Sequence, residues 1–377
     1  MAFIPIGTNI EYIEPSPKPW VYGVDGLLES SPQLTRTDDA VGKSWRWQGA
    51  AYSSVIETDF DSTFNFERVT DSYGNEFVRI PKIYRKVVVR DGEMSGIKIS
   101  NTKLDSTYKP YPCFVNASTG LELDYTDVGA YKASGSDRME SKSDVAFTGN
   151  KTIDNFRTMA RANTESGYIY HQHDIWIMQL LCDLQMVVFA TRQCEDYMGT
   201  TWKSYDGGIN CGDTDTLVNN NLDVPINCCA KKTGKGGFKF FGIEDYCGYA
   251  FEYADGIRFS YQGIYVQYEP SSYSNGTSGK IRISYSRNRL EGYIREMGYD
   301  ANNPFVNYPI ATSGSESTYY PDYVHYETSY SGPGEVSNVG ACKWGSLNQG
   351  LFYRRDFGRE TNYASNESSR LCRKIGG

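Results

Sequence analysis

One segment constrains the fold more than any other part of the chain. It reads DIWIMQLLCDLQMVVFATRQ, residues 174–193, and its apolar residues stand at 175–178, 180, 181, 184 and 186–190. This spacing covers a helix almost all round rather than along one stripe, so it predicts a buried helix with Asp174 as its N-cap. A buried helix of this length organises a core, and the other segments must pack around it.

Those other segments predict strands more often than helices. Short aromatic and β-branched runs alternate with turns, as in DSYGNEFVRI and KIYRKVVVRDGEMSGIKIS, where Asp91-Gly92 predicts a hairpin. A second helix is predicted over 153–163, where apolar residues fall on one face. Two helices between early and late strands predict an α+β fold rather than alternating βαβ units.

Composition limits the partners more than the fold. Aromatic residues make up 14 % of the chain and include 31 tyrosines. Tyrosine is favoured in binding surfaces, because it joins an apolar ring to a polar tip, but it is also favoured in strands, and composition leaves both readings open. The net charge of −8 argues against nucleic acid as the main partner.

The end of the chain has the opposite charge balance. From residue 350 onward the basic residues outnumber the acidic ones, namely Arg354, Arg355, Arg359, Arg370, Arg373 and Lys374 against Asp356, Glu360 and Glu367. A local positive patch on an acidic protein suits an anionic ligand. The alternative is ordinary solvated charge.

Cysteine and histidine patterns predict no metal site and no cofactor. Nine cysteines without a secretory signal are expected to be reduced thiols, and the protein is expected to be made in the cytoplasm. Cys228 and Cys229 lack the second pair that a zinc site needs, and the HQH run at 171–173 lacks nearby partners. No apolar run is long enough to predict membrane insertion.

Residues 1–45 are expected to be an extended arm or attachment segment. Five prolines and little periodicity characterise this stretch: Pro5, Pro15, Pro17, Pro19 and Pro32. The ligand-binding domain is then expected over 46–377.

The segment GIEDYCGYAFEY at 242–253 resembles a stretch, G-x-E-x-x-x-G-N-x-W-E-W, of proteins with the C-type lectin fold. Phe251 replaces Trp and Tyr249 replaces Asn. Further segments follow in the same order as in that family: LTRTDDAVG, FVRIPKIYRKV, RTMARAN, the buried helix, GSESTYYPDYVHY, VGACKWGSLNQGLFYRR and SSRLCRKI. Over residues 34–377 this order is similar to tail-tip proteins of gut phages, the tropism determinants whose C-terminal ends are rewritten by diversity-generating retroelements.

The resemblance implies a twisted, mostly antiparallel sheet with two flanking helices and long loop insertions. It also implies a variable region at about 340–377, with SSRLCRKI tied into the sheet and the preceding strand carrying the ligand surface. Alternation along that strand would divide residues 351–354 between the core and the outside. The implied function is non-catalytic: a receptor-binding protein of the phage tail tip, homotrimeric, associated with other tail proteins and contacting a bacterial surface protein or glycan.

Ten residues are predicted to bind the ligand because aromatic and arginine anchors dominate many interfaces. They are Trp344, Ser346, Asn348, Tyr353, Arg354, Arg355, Phe357, Arg359, Asn362 and Tyr363. Trp344 also fits a fixed scaffold position, because the template codons common in such systems do not yield tryptophan.

Two enzyme classes are the alternatives on this fold. The chemistry of the formylglycine-generating enzyme resembles that of a two-thiolate metal site, in which the second cysteine follows the first by five residues. Here Cys342 is followed at that spacing by Leu347, which argues against this oxidase chemistry. A hydrolase of surface glycans stays open as an alternative, because a pair of catalytic carboxylates leaves no spacing signature in a sequence. Calcium-dependent sugar binding is disfavoured because Glu269-Pro270-Ser271 lacks the carboxamide ligand.

Overall fold

The computed structural model describes residues 18–48, 53–60, 63–198, 210–216, 229–232, 237–246, 248, 250–260, 263–286, 290–326, 335–339, 349–357 and 364–376. Within these residues the fold is α+β, with strands far more abundant than helices. No helix of this part of the chain has the length and apolar character that a membrane crossing requires.

The strands are numbered in chain order. They are β1 (Val21–Asp25), β2 (Thr35–Asp38), β3 (Trp45–Gln48), β4 (Ser53–Thr58), β5 (Glu67–Thr70), β6 (Glu76–Pro81), β7 (Tyr84–Arg90), β8 (Glu93–Ser100), β9 (Lys109–Pro110), β10 (Tyr125–Gly129), β11 (Tyr168–Gln172), β12 (Cys229–Lys232), β13 (Phe238–Phe240), β14 (Ile243–Glu244), β15 (Phe251–Ser260), β16 (Gly263–Val266), β17 (Ile281–Arg282), β18 (Gly292–Met297), β19 (Pro309–Thr312), β20 (Tyr320–Tyr326), β21 (Glu335–Val339), β22 (Arg354–Phe357), β23 (Glu367–Ser368) and β24 (Leu371–Ile375).

Three α-helices lie in the described residues, α1 (Ile153–Arg161), α2 (Ile175–Phe189) and α3 (Glu195–Met198). Helix α2 is buried along its whole length, as predicted. The carboxylate of Asp174 accepts the backbone N–H groups of Trp176 and Ile177, which confirms the predicted N-cap. The helix ends at Ala190, whose φ of 52° lies in the left-handed region.

Sheet I has the strand order β2-β1-β8-β7-β9. Its β7–β8 hairpin confirms the predicted turn: Arg90 pairs with Glu93, and both Asp91 (φ 54°) and Gly92 (φ 87°) have the left-handed backbone of a type I′ turn. Strand β1 pairs with β8, so residues 18–45 belong to the folded body and the expected arm does not extend over them. The reason is the alternation in VYGVD, which buries Tyr22 and Val24 in the core.

Sheet II has the order β11-β24-β10-β6-β5, and sheet III has the order β14-β13-β12-β4-β3. In sheet II the strand nearest the end of the chain is a middle strand, paired with β10 on one side and β11 on the other. This pairing confirms that SSRLCRKI is tied into a sheet. Helix α1 covers this sheet, with Phe156 and Met159 packed against Phe77 and Leu371.

Sheet IV is the largest, with nine strands in the order β17-β16-β15-β21-β22-β20-β18-β19 and β23 paired with β15. All pairs of strands in the described residues are antiparallel except β15–β23 and β20–β22. A single hydrophobic core joins the sheets around α2, with Val24, Val78, Ile56 and Ile257 contributed by sheets I, II, III and IV respectively. The sheets therefore form one packed body, in which sheet IV holds the predicted ligand strand.

Candidate ligand-binding face

Strand β22 lies in the middle of sheet IV. It pairs in parallel with β20, where Arg355 is opposite His325, and antiparallel with β21, where Arg355 is opposite Asn338. A strand with hydrogen-bonded neighbours on both sides is held rigidly, so side chains on its outer face have fixed positions.

Alternation and register define that outer face. Val324, Ile294 and Arg354 point inward and are buried, whereas Tyr323, His325, Arg355 and Tyr293 are only partly buried. Tyr293 is opposite Tyr323, and His325 is opposite Arg355, so the four partly exposed side chains share one face of three adjacent strands. We call this surface the tyrosine–arginine face: Tyr293, Tyr323, His325 and Arg355.

Contacts fix the side chains of this face. The rings of Tyr293 and Tyr323 meet edge to face at 5.4 Å between centroids, and the imidazole Nδ1 of His325 lies 2.9 Å from the Glu291 carboxylate. The Arg355 guanidinium lies 5.6 Å from the centroid of the Phe251 ring and 3.9 Å from the buried carboxylate of Glu367. These contacts orient the groups while leaving part of each accessible.

The phenols of this face are hydrogen-bond donors at neutral pH. Burial, followed by the negative charge of Glu316, raises the pKa of Tyr293 above its ordinary value. Burial, followed by the charge of Glu291, raises the pKa of Tyr323. With two protonated phenols, an imidazole and a guanidinium, the face can stack on planar or sugar rings and hydrogen-bond anionic or hydroxyl groups.

The side chains just before β22, and that of its first residue, are buried. Residues 351–354 are all buried, so the predicted division between core and outside is wrong, and Tyr353 and Arg354 are not exposed anchors. The Tyr353 ring stacks on Phe251 at 5.5 Å, and the Arg354 guanidinium donates to the carbonyls of Leu351 and Tyr353. Residues 351–353 form a turn and an irregular residue before β22, so the alternation of a strand does not apply to them.

Of the ten predicted ligand residues, Arg355 alone has a described side chain that is partly exposed. Phe357 is described by its backbone within β22. Six further predicted residues lie outside the described part of the chain: Trp344, Ser346, Asn348, Arg359, Asn362 and Tyr363. Sequence reasoning missed Tyr293, Tyr323 and His325. The pattern that indicates Tyr323 and His325 is the alternation in YPDYVHY, which places both side chains on one face of a strand.

Three of the basic residues at the end of the chain, Arg370, Arg373 and Lys374, form neither an anion site nor solvated charge. Arg370 donates to Glu252 at 2.7 Å, Arg373 to Asp127 at 2.9 Å and Lys374 to Glu269 at 3.0 Å, and all three basic side chains are buried. The predicted positive patch is therefore wrong for these residues. They neutralise buried carboxylates across strands.

Glu252 is the second glutamate of the segment that carries the family resemblance. Burial alone would raise its pKa, but the charges of Arg370 and Lys132 hold the pKa well below its ordinary value. The first glutamate, Glu244, accepts the backbone N–H groups of Gly212 and Thr214. Both therefore join strands and loops inside the protein.

Two histidines and six cysteines lie in the interior of the described part of the chain. His171 and His173 are buried, and burial, followed by the charge of Lys374, lowers the pKa of His171 to about 4, so its ring is neutral. Six cysteines are described as buried thiols, namely Cys113, Cys182, Cys194, Cys211, Cys229 and Cys372. Cys228 and Cys342 lie outside the described residues, and so does Leu347.

A groove on sheet I is a second candidate surface. It has a volume of about 440 Å³ and is lined by Lys18, Pro19, Trp20, Tyr22, Asp39, Lys43 and Thr63. The rings of Trp20 and Tyr22 stack at 4.7 Å, and the Lys43 ammonium lies 5.3 Å from the Tyr22 ring centroid. Stacked rings beside opposite charges suit a small polar ligand.

Comparisons with known proteins give no match to this chain, either among protein-family models or among curated proteins. Its functional class therefore rests on its own residues and geometry.

Proposed function

We propose that this chain is a non-catalytic receptor-binding protein with the C-type lectin fold, a phage tail adhesin that displays its C-terminal surface to bacterial host cells. The observation that carries the proposal is the tyrosine–arginine face, built on β22 and its neighbours in sheet IV. Rigid tyrosine and arginine side chains are the groups that most often dominate interface energy.

The predicted variable region, about residues 340–377, includes β22 and the residues on either side of it along the chain. A fixed face flanked by segments of variable sequence suits recognition of several receptors by one scaffold. The proposed partner is a bacterial surface protein or glycan.

Presentation in several copies fits such a surface. A face of four partly exposed side chains offers modest affinity, and linked copies convert further contacts into intramolecular ones. We therefore propose a homotrimer at the tail tip, joined to other tail proteins.

Hydrolysis of a surface glycan is less well supported by the described residues. Burial raises the pKa of Glu195 to about 7, with a smaller contribution from the charge of Asp196. Burial, followed by the charge of Glu195, raises the pKa of Asp322 well above its ordinary value, but Asp322 is buried under the backbone of Gly350 rather than in an open cleft. A surface depression that holds Glu93 and Glu296 has a volume of about 110 Å³, below the size usual for ligand sites.

The first test is binding of the purified, fluorescently labelled protein to a panel of intact gut bacteria, measured by flow cytometry. Against a strain that binds the wild type, we expect Arg355→Ala and Tyr323→Ala each to weaken half-maximal binding about tenfold or more. The matched control is Arg282→Ala. Arg282 is exposed in β17 of the same sheet, four strands from β22, or roughly 19 Å at the usual strand spacing.

Thermal unfolding of each variant separates lost binding from lost folding. Unchanged adhesion of Arg355→Ala and Tyr323→Ala, with wild-type melting temperatures, would exclude this face as the receptor site. Release of soluble sugars from the bacteria by the wild type would favour the hydrolase instead.

A further inference from the structure

Three side chains with metal-binding groups converge beneath Gly350, at the turn that leads into β22. Cys194 lies just before α3, Glu195 is the first residue of α3, and Asp322 lies in β20. One atom from each, the thiol sulfur and two carboxylate oxygens, lies within 4.8 Å of the other two. Segments from two distant parts of the chain thus bring one sulfur and two oxygen ligands to a single point.

Asp322 supplies an independent sign that a ligand is missing from this cluster. Its side chain is 1 % exposed, and its Oδ2 accepts the backbone N–H of Phe352 at 2.7 Å. Within the described part of the chain, its Oδ1 has no hydrogen-bond partner, and neither does Oε1 of Glu195. A buried carboxylate oxygen without a partner costs free energy, so two of them in one cluster call for a cation or a proton.

Gly350 shows that Oδ1 of Asp322 and the thiol of Cys194 lie beneath the same backbone atom. A Cβ atom at residue 350 would lie only 2.5 Å from this oxygen. It would also collide with the sulfur of Cys194. The backbone therefore closes over the cluster at a distance that a larger residue would prevent. The closure brings the ligand atoms together in a small space shielded from water.

We propose that Cys194, Glu195 and Asp322 bind one zinc ion. Thiolate sulfur excludes the hard cations calcium and magnesium, and two carboxylates are poor ligands for copper(I), whereas zinc accepts both kinds of donor. Three protein ligands leave the fourth tetrahedral position for water. The ion would neutralise two of the three negative charges that the deprotonated ligands carry.

A zinc ion here would act on the base of the candidate ligand face. It would link the start of α3 to β20, and Asp322 would carry the link to the turn before β22 through its hydrogen bond to Phe352. The inference goes beyond the proposed function and does not depend on it, because the site lies inside the protein whatever the receptor is.

The test is titration of zinc into the full chain after removal of metals with a chelator, followed by calorimetry. We expect one site per chain, a higher melting temperature with zinc, and at least a hundredfold weaker affinity in Cys194→Ser and Asp322→Asn. Cobalt(II) added to the wild type should give the near-ultraviolet absorption of a thiolate–cobalt bond. The control is Cys113→Ser, which replaces a buried cysteine outside the cluster and should bind zinc as the wild type does.

Glu195→Gln serves if the other two variants fail to fold, because Glu195 is less buried than Asp322. Three results would overturn the proposal. They are absence of zinc binding by the wild type, zinc affinity that survives in every folded variant, and a cobalt complex without thiolate absorption. A wild-type melting temperature that does not change with zinc, together with a higher melting temperature in Asp322→Asn, would show that the carboxylates share a proton instead.

Discussion

Paired charges inside the protein hold distant segments together at the level of single residues. Glu252 in β15 contacts both Lys132 at 2.8 Å and Arg370 at 2.7 Å. Arg157 and Arg258 both contact the buried carboxylate of Asp255. Removing one partner of such a pair leaves a buried charge, which costs about 3–5 kcal/mol.

Asp245 gives a pH-dependent prediction. Burial, followed by the charge of Glu244, raises its pKa to about 7. A carboxyl group whose pKa is raised by folding stabilises the protein fully below its ordinary pKa, and this contribution is lost as the pH rises through about 7. We expect Asp245→Asn to remove this loss, so that the variant gains roughly 1–3 kcal/mol relative to wild type between pH 5 and pH 8.

Asparagine suits position 245 because its amide oxygen can still accept the Phe238 N–H and because it tolerates the φ of 52°. Denaturant unfolding at the two pH values measures the effect. Asp91→Asn, at an exposed residue with a φ of 54°, is the control and should follow the wild type at both. If the free energy of unfolding of Asp245→Asn differed from that of the wild type by the same amount at pH 5 and pH 8, this result would contradict the raised pKa of Asp245.

At the scale of secondary-structure elements, the stability of helix α1 depends on the hydrogen bonds at its N-terminus more than that of α2 does. The Thr152 hydroxyl accepts the backbone N–H of Asn155, and the Asn155 side chain accepts the backbone N–H of Thr152. Only one face of α1 is buried, so these reciprocal hydrogen bonds contribute a large share of its stability. Helix α2 is surrounded by the core and depends chiefly on packing.

We therefore expect Thr152→Ala to lower the free energy of unfolding by about 1 kcal/mol. Thr158→Ala makes the same substitution at an exposed position inside the helix, where alanine is the better helix former, and should raise stability by a few tenths of a kcal/mol. Urea unfolding of both variants measures whether each substitution lowers or raises the free energy of unfolding. A loss of equal size in both would argue against a capping role for Thr152.

Elements with strong local signals were predictable from the sequence. The apolar residues of 174–193 and the polar Asp174 define α2 and its start, and Asp91-Gly92 defines the β7–β8 hairpin. Residues 18–45 were not predictable, because prolines mask short strands and the outer strand β2 is polar. Burial of residues 351–354 depends on what covers sheet IV, which no local pattern encodes.

At the scale of the whole molecule, the end of the described chain completes the interior. Strand β24 lies between β10 and β11, and its neighbour Arg370 reaches Glu252 in sheet IV. Two strands that come late in the described chain, β22 and β24, thus each lie in the middle of a sheet.

A chain that ends at Asn366 is expected not to fold. It lacks β24, and it loses the buried pairs of Arg373 with Asp127 and of Arg370 with Glu252, so that, of the described lysines and arginines, Asp127 keeps only Arg79 and Glu252 only Lys132 as partners. Two broken buried pairs, at about 3–5 kcal/mol each, together with the lost strand exceed the stability of about 5–15 kcal/mol typical of a domain. Circular dichroism and thermal unfolding should show no cooperative transition.

The control ends at Ile375 and keeps the whole of β24, so it should unfold cooperatively near the wild-type temperature. A cooperative transition in the chain that ends at Asn366 would mean that β24 is dispensable for the core.

The candidate site was predictable only in outline. Arg355 and the location of the strand followed from the aromatic and basic residues of 350–363, whereas Tyr293, Tyr323 and His325 join it only through strand order. The predicted positive patch includes Arg354, Arg370, Arg373 and Lys374, because charged side chains are mostly exposed. Their carboxylate and carbonyl partners come from segments far away in sequence.

The middle position of β24 also sets the order of events during synthesis. Leu371 pairs with Gln172, so sheet II has a gap at its centre until the ribosome has added the last strand. Contacts of such long sequence separation form late and slowly. The nascent chain therefore exposes unpaired edges of β10 and β11 until β24 has been made, and the cell that makes this protein must keep other chains away from them.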